Sequence, residues 1–175
     1  MAAFTGTLLA HHFVDRILPV SFAGRLGEDS RSRAFRRVAR ARTLAEAQLG
    51  PASSVRAIFE VGAFPLFGAL GYSVVPATPD PDIPLARSIV LAARGTRLGL
   101  IVGPWAEPLD RLWRLAVMHG IATGNRWCFC YNGRQLRSVD TERSFARRFV
   151  EFDLAAAATD EDGFAILWAL ARPEV

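Results

Sequence analysis

The sequence predicts an α/β (α+β) domain built as a mixed central sheet with helices packed on it. Three observations predict it. Residues 88–93 and 98–102 are nearly all-apolar runs on either side of Arg94-Gly95-Thr96, which reads as a hairpin between two central strands. Residues 107–119 place Leu109, Leu112, Trp113, Ala116 and Val117 at i, i+3, i+4, i+7, i+8, one oily stripe of a helix. Residues 127–131 and 135–139 flank Asn132-Gly133, a second tight hairpin. Strands and helices in this order pack as layers around a sheet.

The elements follow in chain order. Residues 4–20 read as a short helix ending near Pro19. Residues 30–49 are a strong helix, with Ser30 or Ser32 as cap and Gly50-Pro51 as stop. Ser53 or Ser54 can cap the next helix, residues 55–70, whose apolar side carries Ile58, Phe59, Val61 and Leu66 and which Pro65 should kink or interrupt. Gly71 ends it, and residues 72–75 begin a strand. Residues 76–84 form a loop, with four prolines set among Asp80 and Asp82. After the first hairpin, Gly103-Pro104 stops the returning strand, and Gly120 and Gly124 close the amphipathic helix. The tail, residues 143–171, reads as mostly helical with a break around residues 160–163. No repeat or linker divides the chain, so residues 1–175 are taken as one domain.

Composition narrows the function classes. A hydrophobic fraction of 51% excludes bulk disorder, and no apolar run reaches the roughly 18 residues of a membrane span. His11, His12, Asp15 and Arg16 interrupt the start, which makes it a poor signal peptide. Cys128 and Cys130 lie on one face of a strand, too close in sequence for a disulfide, and read as core residues of a protein in a reducing cytoplasm. All 21 basic residues are arginine. A GC-rich genome can produce that bias, but the chemistry follows regardless: no mechanism that needs a lysine ammonium runs here, which excludes a Walker-type phosphate loop and Schiff-base catalysis.

The charge is unevenly spread. Seven arginines and two acids fall between Arg25 and Arg42, while the whole chain is only +4. A second cluster holds Arg134, Arg137, Arg143, Arg147 and Arg148 against Asp140 and Glu142. The arginine fork suits phosphate, and clusters of this kind are the footprint of a nucleic-acid binder. The alternative is a solvated helix face or internal ion pairs. Within the first cluster, Arg33, Arg36, Arg37 and Arg40 repeat at i, i+3, i+4, i+7 and form one stripe that can track phosphates. Catalytic motifs are scarce. There is no G-x-S-x-G and no G-x-G-x-x-G, and adjacent His11 and His12 point about 100° apart on a helix, unlike a helical metal pair. Trp105 directly follows a strand and reads as a packed aromatic.

The ordered set of motifs is familiar. Phe67-Gly68-Ala69-Leu70-Gly71-Tyr72-Ser73-Val74-Val75, the apolar hairpin, the helix, and Trp127-Cys128-Phe129-Cys130-Tyr131-Asn132-Gly133-Arg134-Gln135-Leu136-Arg137 resemble the N-terminal nuclease-like domain of restriction-modification proteins. Leu49-Gly50-Pro51-Ala52-Ser53-Ser54 and Arg147-Arg148-Phe149-Val150-Glu151-Phe152-Asp153 extend the likeness over most of the chain, and the set looks most like the leading domain of fused polypeptides with an adenine-methylase core. The resemblance implies a restriction-endonuclease-like fold of the PD-(D/E)xK kind, duplex DNA as ligand, and a methylase or other restriction-modification module as partner. With no N-P-P-[FY] motif in the sequence, that module is expected on a further C-terminal part or a separate chain. In active members, carboxylates hold Mg²⁺ and a lysine stabilises charge near the attacking water. Here Val102 stands in place of the glutamate and Pro104 in place of the lysine. Glu60, Asp82 and Glu107 are the only remnant acids. The expected function is therefore a degenerate domain that binds DNA or docks partners without a cofactor, through Arg33, Arg36, Arg37, Arg40, Arg134 and Arg137. Its rivals are a Mg²⁺-dependent endonuclease with a migrated site at the three acids, and a protein-interaction domain that does not touch DNA.

Overall fold

The computed structural model describes residues 4–8, 28–75 and 87–173. They form a seven-stranded mixed sheet with helices on both faces. The chain enters through β1 (Phe4–Gly6), then α1 (Glu28–Gln48) and a helical run made of α2 (Val55–Ala57), a π-helical segment (Ile58–Ala63) and α3 (Phe64–Leu70). Strands β2 (Ser73–Val75), β3 (Arg87–Ala93) and β4 (Thr96–Val102) follow as an antiparallel meander. A 3₁₀ turn (Leu109–Leu112) leads into α4 (Trp113–Thr123), which crosses over to β5 (Trp127–Tyr131), parallel to β4. Strands β6 (Gln135–Asp140) and β7 (Phe149–Asp153) complete the sheet, and α5 (Leu154–Thr159) and α6 (Glu161–Ala171) close the chain. The strand order is β1-β7-β6-β5-β4-β3-β2.

The expected hairpin forms as read from the sequence, with Ser88 opposite Ile101 and Ala93 opposite Thr96. Positive φ at both Arg94 (48°) and Gly95 (83°) makes a type I′ turn, whose twist matches the strands it joins. Leu109, Leu112 and Ala116 pack with Ile101, Cys128, Cys130 and Val139 under α4, with Trp113 beside them. The larger core fills the other face, between the sheet and α1, α3, α5 and α6. There α1 buries Ala34, Val38, Ala41 and Ala45, four residues small enough to bring its axis close to its neighbours. Pro65 does not break the helical run. It sits at the start of α3, directly after the π-helical segment, where a missing N–H costs no hydrogen bond. Gly71 then ends α3 at φ 101°, with Gly71 N bonded to Gly68 O at 3.2 Å and Tyr72 N to Phe67 O at 2.9 Å, a Schellman cap.

Several expectations are corrected. Residues 4–6 are a strand rather than helix, because Phe4 pairs with Phe152 on the far side of the sequence; residues 9–20 lie outside the described residues. Helix α1 is already formed at Glu28, so neither Ser30 nor Ser32 caps it. The helix expected from residue 107 starts as a 3₁₀ turn at Leu109 and runs on to Thr123. His119 therefore lies inside α4, its Nε2 3.1 Å from Ile89 O. The second hairpin turns at Gly133-Arg134, one residue later than expected, since Asn132 N bonds Gln135 O and Asn132 Oδ1 accepts from Arg134 N and Gln135 N. Residues 149–153 are a strand where a helix was read. The break near residue 160 is real: the Asp160 side chain caps α6 while its own N–H closes α5 on Ala156 O.

On the α4 face, the sheet beyond the helix is sealed by a charge. Arg137, only 5% exposed, donates to Glu151 Oε2 at 2.8 Å through Nε and to Asp110 Oδ1 at 2.9 Å through Nη1. Its guanidinium lies 4.1 Å from the Phe149 ring centroid. Replacing Arg137 with Met leaves the mostly buried Glu151 carboxylate without a counter-charge and with Gln135 Nε2 as its remaining donor, and urea unfolding should show a loss of about 3 kcal/mol. Adding Glu151→Met should recover much of that loss; a double variant no more stable than the single would refute the pairing. The hydrogen bond from Arg137 holds the Asp110 carboxyl below its usual range. This contribution is present above the unfolded carboxylate value and is lost as pH falls through the lower folded value, so Asp110→Asn should show a shallower acid loss than the parent.

Candidate nucleic-acid interface

Because α1 turns its alanines and Val38 inward, it presents Arg33, Arg36, Arg37 and Arg40 to solvent along one stripe. The stripe lines a cleft of about 720 Å³. The rest of the described wall includes Ala69 to Gly71 at the end of α3, Arg94 at the tip of the β3–β4 turn, and Trp168, Arg172 and Pro173 at the end of α6. Six arginines thus face one concavity whose described lining contains no acid. Arg37 donates to Gly68 O at 3.2 Å, a carbonyl in the last turn of α3. Arg33 reaches Ser30 Oγ at 3.5 Å. The Arg172 guanidinium lies 5.8 Å from the Trp168 ring centroid. Among the described residues, none of the four stripe arginines makes an ion pair. In the second cluster Arg137 is an internal pair, while Asp140 and Glu142 are taken up by Arg126.

Sequence spacing brings the α1 stripe together and misses Arg94 and Arg172. Arg94 sits alone in a turn and Arg172 follows the last helix, so only the tertiary fold places them beside α1. A basic residue at a hairpin tip is the one local signal that could have found Arg94. The second expected group does not join the cleft. Arg137 is buried in its pairing with Glu151 and Asp110 and is not available to a phosphate, which corrects its assignment as a DNA contact. Arg134 is exposed, but it lies in the β5–β6 turn at the opposite end of the sheet.

That opposite end is where the remnant nuclease residues fall, and it is filled. Val102 is fully buried in the larger core. Trp105 packs over Gly133, leaving no room there for even a Cβ. Buried Asn132 donates to Glu107 O at 2.8 Å, and buried Arg42 donates to Gly133 O. Glu60 is exposed and paired with Arg56 at 2.8 Å, and Glu107 is paired with Arg111. Asp82 lies outside the described residues. Among the described residues, no three His, Cys, Asp or Glu side chains gather to share a metal ion. Val102 and Pro104 offer no ligand, so the described residues do not fit the Mg²⁺ centre of an active nuclease. Among the described residues, no helix is long and apolar enough to cross a membrane.

No family model, no curated protein and no solved structure matches this chain. The fold and the cleft are therefore read on their own chemistry.

Cys128 and Cys130 carry none of that chemistry. Burial pushes both thiols up, Cys130 to about 12 and Cys128 well above the usual thiol range. Neither should react with iodoacetamide at pH 8 in the folded protein, and both should react in denaturant. Rapid labelling with an unchanged circular dichroism spectrum would contradict the burial of these residues.

Proposed function

We propose that this domain binds duplex DNA through its phosphates, without cutting it, as part of a restriction-modification system. The observation that carries the reading is the six-arginine cleft. Its described lining holds six arginines and no acid, the four on α1 make no ion pair among the described residues, and their planar forks engage phosphate two bonds at a time. Arg33 to Arg40 spans about 10 Å along the helix axis. That is the axial length of about three phosphates on one DNA strand. The stripe offers donors only, with no amide beside it to read a base edge, so the binding is sequence-tolerant.

The family context rests on the resemblance. The order of α3, the β3–β4 hairpin, the α4 crossover and a strand ending in Tyr131-Asn132-Gly133-Arg134 supports it. A methylase or other restriction-modification module as partner follows from the same likeness. The separation of the cleft from the Val102 end of β4 supports binding without cleavage. Arg94 of the β3–β4 turn lines the cleft, whereas Val102 ends β4, six residues on from Thr96 where the strand begins. At the usual strand rise those points lie about 20 Å apart.

Fluorescence anisotropy on unrelated duplexes over a salt series tests the reading. Affinity should be similar for every sequence and fall steeply with salt. Arg36→Gln with Arg37→Gln should weaken binding to all duplexes and flatten the log–log salt slope by up to about two units, roughly one per lost contact. Arg94→Gln with Arg172→Gln should act in the same direction, although neither lies on α1. A stripe variant that binds like the parent would sink the proposal in favour of a protein-interaction role. Mg²⁺- or Mn²⁺-dependent cleavage that disappears in Glu60→Ala or Glu107→Ala would do so in favour of a nuclease with a migrated site.

A further inference from the structure

A second concavity, of about 440 Å³, opens beside the arginine cleft and shares Arg172 and Pro173 with it. It lies at the same end of the sheet as the β3–β4 turn. Thr96 and Leu98 at the start of β4, Trp127 at the start of β5, Asp140 at the end of β6 and Val150 at the start of β7 all contribute to it. Its character differs from the cleft. Tyr72, Leu98, Trp127, Phe129 and Val150 give it an apolar and largely aromatic wall, and Arg126, Arg143 and Arg148 line it as well. Ser138 and Asp140 add polar groups able to accept hydrogen bonds from a ligand edge. Asp140 is held in place by Arg126 at 3.2 Å, and that same guanidinium lies 5.2 Å from the Trp127 ring centroid. The volume falls in the range of about 300–1,000 Å³ typical of small-molecule sites.

A charged cleft leading directly into an aromatic pocket with a few acceptors suits one kind of ligand: a flat, apolar-faced, hydrogen-bonding ring tethered to phosphate. We propose that the pocket receives a single unstacked nucleobase whose phosphates lie among the arginines of the cleft. The proposal rests on the reading of the cleft as a phosphate site and adds what that reading lacks, a place for one base. Partly exposed Trp127 supplies a stacking face, an interaction that tolerates every base because each has a π-face. Taking a base out of a duplex costs least where it is already unpaired, so the domain should favour bulges and frayed ends over continuous helix.

The test compares a duplex carrying one unpaired adenine with the same duplex carrying an abasic residue there. In parallel it compares deoxyadenosine 5′-monophosphate with deoxyribose 5-phosphate. All are titrated into the full chain by anisotropy or by quenching of tryptophan fluorescence. The base-bearing ligand should bind about tenfold more tightly in at least one pair. A preference in both pairs identifies the shared nucleoside phosphate as the ligand, and a preference in the duplex pair alone identifies a base within a strand. Ser138→Phe, which fills the pocket from β6, and Trp127→Ala, which removes the stacking face, should each collapse that ratio. Arg36→Gln with Arg37→Gln should lower both members of a pair together and keep the ratio. Equal affinity for base-bearing and base-free ligands would overturn the proposal, as would a ratio that survives both pocket variants. A base preference without binding to fully paired duplex would leave the pocket standing and remove the cleft reading alone.

Discussion

The parallel pairing of β4 with β5 is the constraint from which the rest of the architecture follows. Two parallel neighbours cannot be joined by a turn, so the chain must leave the sheet and return along one face. Here α4 makes that return and covers one side nearly alone, while α1, α3, α5 and α6 gather on the other. The same pairing places the starts of β4 and β5 at one end of the sheet, with Thr96 and Trp127 near each other and Val102 and Tyr131 together at the far end. The two ends are then free to differ in chemistry, and they do.

At the far end the chain laces itself shut. Gly103 N and Ala106 N bond the carbonyls of Tyr131 and Asn132 at 2.9 Å, Trp105 closes over Gly133, and Arg42 reaches in from α1. Most polar groups there bond one another, which lowers the desolvation penalty of burying them, and the Arg42 Nε is left without a partner among the described residues. At the near end the helices stop short and leave two adjoining concavities. Charge follows the same division. Arg137 and Arg42 are buried and paired with carboxylates, whereas Arg33, Arg36, Arg37 and Arg40 face solvent. One residue type thus seals the fold in some places and faces solvent in others.

Much of this was legible from local pattern. The β3–β4 hairpin, the amphipathic α4, the β5–β6 hairpin and the end of α3 at Gly71 all follow from periodicity and turn chemistry. What escaped depends on distant partners. Phe149–Asp153 alternates inward and outward residues, but its strand state rests on Arg137 stacking over Phe149 and on the pairing with β6, and the alanine run after it argued for helix. Phe4–Gly6 has no strand signal of its own and takes its state from β7. The α1 stripe was visible because helical spacing is local. The six-arginine cleft was not, because a turn residue and a post-helical residue join it only in three dimensions. Arg137 was misread for the converse reason: its charge marks it as a surface residue until Glu151 and Asp110 are seen around it.

A cleft whose cations are all guanidinium has a consequence for control. Arginine keeps its proton through the whole physiological range, so acidification or alkalinisation of the cell leaves the charge of this surface intact. Acylation, the usual covalent means of erasing a cation, acts on lysine, and the chain has none. The charge of such a surface is constant in time. Any change in its field must therefore come from outside the residues themselves, as a competing polyanion, a change in ionic atmosphere, or a partner that covers the cleft.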